Sequence, residues 1–327
     1  MPLPGSTLRY PVTRVLLERT RLAYVHVRNL LNDAKRDRVA RVYGYVAIWL
    51  PEEFILLFLQ EGELANATAS QDGRYFRNVP LADALARVPS AAEYGEILFH
   101  ECDDEQLACM FWSQIDHQSA QPPELAACEP SMVRGWLHAM MHDGVLEVDL
   151  EGSASYIVTR MGRAVRGYLT DPEGTDVESC FTELLESGRR TPLRRLRLFG
   201  VPGPLPVQAQ PALVQAYRDL VTSTFRRLEE AGCGGAVAIA EHSRLSLAAA
   251  HPALARFSAL SGRLTDPIED KAAVTEAIGT WLGDVVGSAA PAQGLDPSQL
   301  MSELTRARRH SFQSAGLFEA VPWTVEW

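Results

Sequence analysis

Residues 44–67 read GYVAIWLPEEFILLFLQEGELANA, and the fold of the N-terminal part turns on them. Val46, Ile48 and Leu50 alternate with other residues, which is the period of a half-buried strand. Pro51-Glu52-Glu53 makes a turn, and the unbroken apolar run Phe54 to Leu59 suits a returning strand that is buried more deeply. Gly62 marks a second turn, after which Leu64 and Asn66 open a third strand. On the N-terminal side, Val27, Leu30, Leu31 and Ala34 recur at helical spacing, while residues 1–20 show only an apolar stretch near Val15 to Leu17. On the C-terminal side, Pro80 introduces a short amphipathic helix, Leu81 to Val88, and Gly95 to His100 reads as a further strand. An antiparallel sheet with helices over residues 1–103 is the expectation.

From residue 104 the pattern changes. Residues 104–118 carry Leu107, Met110, Phe111 and Ile115 on one side of a helix. Pro122 and Pro123 precede a short helix over 124–127. A third helix over 131–143 presents Val133, Trp136 and Leu137, with Gly144 placed as its C-cap. Val145 to Leu150 and Tyr156 to Thr159 then form a hairpin around Gly152. Val201-Pro202-Gly203-Pro204-Leu205-Pro206 is the best linker in the chain. Beyond it three long helical patterns follow, Val214 to Leu228, Val274 to Val285 and Leu300 to Phe312. The whole is an α+β chain: an N-terminal sheet module (1–103), a central module (104–200) and a helical C-terminal region (207–327).

Bulk properties bound the function. The 327 residues are 46% apolar and 22% charged, ordinary for packed globular domains, and the formal net charge is -10. A negative field works against indiscriminate binding of nucleic acid or anionic membranes. The five cysteines are odd in number and lack a CxxC pair, which fits reduced thiols in the cytoplasm rather than a disulfide framework. Met1 to Tyr10 carries no apolar signal segment, and no run approaches the ~20 apolar residues of a membrane span.

Residues 44–102 and 144–202 align without a gap: Gly44 meets Gly144, Gly62 meets Gly162, and Leu98-Phe99 meets Leu198-Phe199. Both a duplication and the shared grammar of β-hairpins produce such a match.

Two resemblances add to this. The helix Val27 to Ala34, the strand around Gly44-Tyr45-Val46 and the run Phe58 to Ala67 resemble the PATAN-type domain of bacterial signalling proteins. That resemblance covers about a quarter of the chain, implies a regulatory or adaptor role and brings no catalytic residues. The order helix, short helix, helix, hairpin over 104–159 is similar to a winged helix, and Tyr156 to Arg163 resembles the strand and turn that close its wing. The winged-helix resemblance implies contact through Arg134, His138, Arg160 and Arg163, to DNA or to a protein partner. Ser131 to Asp143 offers few groups suited to base edges, and acids surround the arginines.

Candidate chemistry is sparse. His138 and His142 stand four apart on a helix, a spacing that can serve one metal, but a solvated helix face explains them better. Asp103 and Asp104 suit a helix N-terminus. No GxSxG, GxxxxGK[ST] or strand-following GxGxxG motif occurs. Arg189, Arg190, Arg194, Arg195 and Arg197 form the densest charge cluster, open to an anion or an acidic partner, or else a solvated strand face balanced by Glu183 and Glu186. The sequence therefore points to a bacterial cytoplasmic regulatory protein that binds a protein partner without a cofactor, with room for self-association. A winged-helix DNA-binding regulator is the first alternative. A small-molecule sensor with a pocket at Trp49 and Phe58 is the second.

Overall fold

The computed structural model describes residues 3–36, 42–115, 130–171, 176–190, 193–257 and 270–326. The fold is α+β, and the chain divides into two compact units, Met1–Leu205 and Pro206–Trp327.

The first unit opens with strand β1 (Arg14–Arg21) and helix α1 (Val27–Arg36). A meander follows: β2 (Gly44–Trp49), β3 (Phe54–Gln60) and β4 (Glu63–Ser70), with the short β5 (Arg77–Asn78) beside it. Helix α2 (Leu81–Arg87) then leads to β6 (Glu96–Glu101), which returns antiparallel between β1 and β2. The sheet order is β1-β6-β2-β3-β4-β5. The continuous apolar run of β3 is buried on both faces because strands flank it and packed layers cover each side. One face packs Val46, Ile48, Ile55, Leu57 and Phe99 against α1 and α2.

The other face carries Tyr45, Trp49, Phe54 and Phe58 and meets helix α3 (Asp104–Ile115). Phe58 and Phe111 pack edge to face at 5.6 Å, and Thr68 donates to Gln114 Oε1 at 2.7 Å. The remaining elements are α4 (Pro130–Ala139), β7 (Gly144–Leu150), β8 (Ser153–Arg160), β9 (Arg163–Tyr168), α5 (Val177–Arg190) and β10 (Leu193–Phe199). They build a second sheet, ordered β10-β7-β8-β9. Its outer face packs Leu146, Val148, Ile157, Leu196 and Leu198 on Val133 and Leu137 of α4 and Phe181 and Leu185 of α5. Its inner face turns back to α3, where the hydroxyls of Ser113 and Tyr156 lie 3.3 Å apart and Arg197 donates to the Ser113 carbonyl. Helix α3 is therefore buried nearly all round, including Gln106, Ser113 and Gln114, because it lies between two sheets.

The two sheets are copies of one design. Each copy runs helix, three-stranded meander, helix, returning strand. The first hairpin has the same register, Gly44 opposite Leu59 and Gly144 opposite Thr159. The second hairpin carries its register shift at the same place, between Phe58 and Leu59 and between Val158 and Thr159. Glu61-Gly62 and Met161-Gly162 both have positive φ, the turn that matches strand twist in a two-residue hairpin. Gly62 donates to the Val42 carbonyl, and Gly162 to the His142 carbonyl. A shared bulge position is not generic hairpin grammar, so the 100-residue offset reflects a structural repeat. The returning strand is one residue out from the ungapped alignment. Phe99 faces Val46 while Leu198 faces Leu146, so Phe99 corresponds to Leu198 and not to Phe199.

Several local expectations change. Residues 14–21 form β1, whose mostly exposed residues hide the period that a buried strand shows. Helix α4 ends at Ala139, Met141 takes the positive φ, and Gly144 is the first residue of β7 rather than a cap. Beyond the hairpin expected from the wing, β9, α5 and β10 complete the sheet. The short helix over 124–127 lies outside the described residues. Residues 201–205 are anchored rather than free, since Trp112 Nε1 donates to the Gly203 carbonyl at 2.9 Å.

The second unit is helical: α6 (Pro211–Glu230), α7 (Ala236–Leu247), α8 (Lys271–Ala292), α9 (Pro297–Thr305), α10 (Arg309–Ala315) and α11 (Leu317–Ala320). Trp281 of α8 is its centre, packed edge to face on Phe225 and donating to the Ala240 carbonyl at 2.9 Å. Asp270 caps α8 by accepting from the Ala273 amide and also accepts from the Val207 amide. The pattern Leu300 to Phe312 is broken into α9 and α10 by a tight turn over Arg306–Arg308.

Candidate interaction surface

The residues that sequence reasoning singled out cluster around the end of α4. Asp143 accepts from the Met161 amide at 2.6 Å, and the Gly162 amide donates to the His142 carbonyl at 3.0 Å. These bonds press the β8–β9 turn onto the last turn of α4. A Cβ on Gly162 would collide with Leu137 and His138, so a side chain there would push the turn away. Held in this way, Met140, Met141 and Met161 come together at one end of the module, exposed by 62%, 60% and 58%. Arg160 and Arg163, which are register partners, flank Met161 and are exposed, as is His138. Three solvent-facing methionines with an arginine rim have the composition of a protein-binding surface, because thioether chains adapt their shape at low cost.

Arg134 does not join this group. It turns to α5, donating to Thr182 Oγ1 at 2.9 Å and pairing with Glu178 at 3.6 Å. Arg166 is likewise occupied by Glu105 at 2.8 Å and by Tyr168. Acids thus neutralise two of the four arginines over 131–170, leaving Arg160 and Arg163 as an isolated pair rather than a phosphate-tracking stripe.

The arginine cluster is split between elements. Arg189 and Arg190 end α5, whereas Arg194, Arg195 and Arg197 stand on β10. Arg197 is not on a solvated face: it pairs with Glu147 across the strands and is buried with it, 14% and 6% of the two side chains being exposed. Its guanidinium also lies 4.9 Å from the Phe199 ring. The pairing with Glu147 instead of Glu183 or Glu186 depends on β10 returning to β7, which no local pattern announces.

Other candidates resolve simply. Trp49 and Phe58 are fully buried, Trp49 packing on Phe54, Phe54 on Phe76, and Phe58 on Phe111. A cavity of about 630 Å³ does open between the start of α3 and the linker, lined by Asp103, Asp104, Glu105, Arg160 and Arg166 among others. Asp103 caps α3 by accepting from the Gln106 amide, and the Arg166–Glu105 pair spans the rim. His142 turns inward to Thr159 at 2.7 Å, away from a shared site with His138, and burial lowers its pKa from the ordinary 6.5. Among the described residues no three of His, Cys, Asp and Glu gather as a metal site. Burial raises the Cys102 thiol and pushes Cys109 up to about 12, which suppresses thiolate at neutral pH. Among the described residues no helix is long and apolar enough to cross a membrane.

Compared with known proteins, the chain matches no family model, no curated protein and no solved structure.

Proposed function

We propose that this chain is a bacterial cytoplasmic regulatory or adaptor protein that works by binding another protein rather than by catalysis. The observation that carries the proposal is the exposed surface of Met140, Met141 and Met161 rimmed by Arg160 and Arg163. Exposed methionines grouped by a rigid turn leave apolar area in water, and covering that area on a partner is favourable. The arginine rim adds orientation and an electrostatic preference for acidic neighbours. The PATAN-type resemblance of the first module supports the same reading.

The winged-helix DNA reading draws on His138, Arg160 and Arg163, since Arg134 and Arg166 are held by acids. The adaptor reading predicts that affinity purification from the native host recovers a protein in stoichiometric amount. It also predicts that Met140→Glu, Met141→Glu and Met161→Glu together abolish recovery while the far-ultraviolet spectrum is unchanged. Recovery of nucleic acid in place of protein, lost on changing Arg160 and Arg163 and weakened by salt, would replace the adaptor reading with the DNA reading.

A further inference from the structure

Helix α7 of the second unit is built inside out. An ordinary surface helix turns apolar side chains to the core and charges to water. The one acid and the one arginine of α7, Glu241 and Arg244, turn to the protein instead. They pair at 2.5 Å with 20% and 8% of their side chains exposed, and Arg244 also donates to the Leu254 carbonyl. On the same side Ser243 donates to Asp284 of α8, and the Ala240 carbonyl accepts from Trp281. The opposite side faces water with Ala238, Ile239, His242, Leu245 and Ser246. Ile239 and Leu245 are 46% and 61% exposed. This side carries no acid, lysine or arginine.

The exposed side is also symmetric about His242. Ile239 stands three residues before it and Leu245 three after it, while Ala238 stands four before and Ser246 four after. At about 100° per residue all five fall on one stripe of the helix. When two such helices lie antiparallel across a two-fold axis at His242, residues equally far before and after it meet. Ile239 of one copy then packs on Leu245 of the other, and Ala238 opposes Ser246. The large side chains cover each other, and the small ones let the helices approach. A charged partner surface would lose its hydration against a stripe that offers no counter-charge. A stripe complementary to itself meets no such cost.

We propose that α7 is a self-association surface that pairs antiparallel with α7 of a second copy of this chain, about a two-fold axis at His242. A single twelve-residue helix gives a contact at the small end of the roughly 1,200–2,000 Å² of stable interfaces, so the dimer is weak and depends on concentration. The stripe belongs to the second unit and the methionine surface to the first, so this pairing stands or falls independently of the adaptor reading.

The test uses the full chain. Sedimentation equilibrium from about 1 to 500 μM is expected to show monomer and dimer in exchange. Ile239→Glu and Leu245→Glu together are expected to weaken the dimer by about 100-fold or more, with thermal unfolding of the dilute chain unchanged. Cysteine substitutions read the geometry against the parent chain, which controls for the native thiols. A residue on the axis meets its own counterpart, so His242→Cys is expected to give a disulfide-linked dimer on mild oxidation. In this pairing Ala238 lies about 12 Å along the helix from its counterpart, too far for a disulfide. Ala238→Cys alone is therefore expected not to link, and to link when mixed with Ser246→Cys. A chain that stays monomeric across the range, a dimer that survives the two glutamates, or a link through Ala238→Cys alone would overturn the proposal. Occupation of this face by another protein, with the chain itself monomeric, would overturn it as well.

Discussion

Gly44 and Gly144 play the same part in the two copies: each lies so close to the returning strand that a Cβ would collide with a carbonyl oxygen, that of His100 and that of Phe199 respectively. His100 and Phe199 are themselves equivalent by register, being opposite Tyr45 and Val145. Backbone oxygen cannot move aside as a flexible side chain can. Gly44→Ala and Gly144→Ala are each expected to destabilise the first unit by about 1–3 kcal/mol. Gly135→Ala, on α4 with nothing within 4 Å, is expected to be neutral or stabilising by up to about 1 kcal/mol. Denaturant unfolding of the three variants checks the contrast.

The Arg197–Glu147 pair is expected to behave as a buried pair. Removing one charge leaves the other without its partner in a site with little water. Glu147→Gln or Arg197→Met alone should cost about 3–5 kcal/mol, and the double variant Glu147→Met with Arg197→Met should recover much of that loss. A double-mutant cycle by chemical unfolding measures the coupling. Additive losses would show that the two side chains act independently.

Stability of the first unit should fall as the medium is acidified. Burial holds His100 and His142 below their ordinary 6.5, so both are neutral in the fold at a pH where the unfolded chain already binds protons. Their contribution is present above about pH 6.5 and is lost progressively as pH drops below it. The Tyr45 hydroxyl, 2.9 Å from His100 Nδ1, is the contact at stake in the first copy. Thermal unfolding at pH 7.5 and pH 5.5 should show the decline, and His100→Asn should make it shallower.

The C-terminal tail is predicted to belong to the core of the second unit. Gly279 and Gly283, one helical turn apart on α8, accept Ala320 and Pro322 at distances that leave no room for a Cβ. Gly283→Leu should expel Pro322 and cost about 1–3 kcal/mol. Limited proteolysis should then trim the tail from the variant faster than from the parent chain.

What the sequence determined alone is whatever is written in short-range periodicity. The meander from Gly44 to Asn66, the helices on Val27 to Ala34, Leu107 to Ile115 and Val214 to Leu228, and the hairpin around Gly152 all follow from residues that are neighbours in the chain. The Pro/Gly stretch at 201–206 coincides with the change from one unit to the next. The 100-residue echo was visible too, but few identities support it, and hydrophobic alternation repeats in any pair of hairpins.

Tertiary structure decided the rest, for reasons of distance along the chain. Strand β1 forms because its backbone pairs with β6, seventy-five or more residues further along the chain, with Arg14–Glu101 and Arg19–Glu96 beside the ladder, not because its own pattern demands a strand. Arg197 is a buried pairing partner because β10 returns to Glu147, fifty residues earlier. Arg160, Arg163 and the three methionines meet only because the Met161-Gly162 turn is bonded to Asp143 and His142. Periodicity reports which face of an element is buried; only long-range hydrogen bonding and packing determine what that face meets.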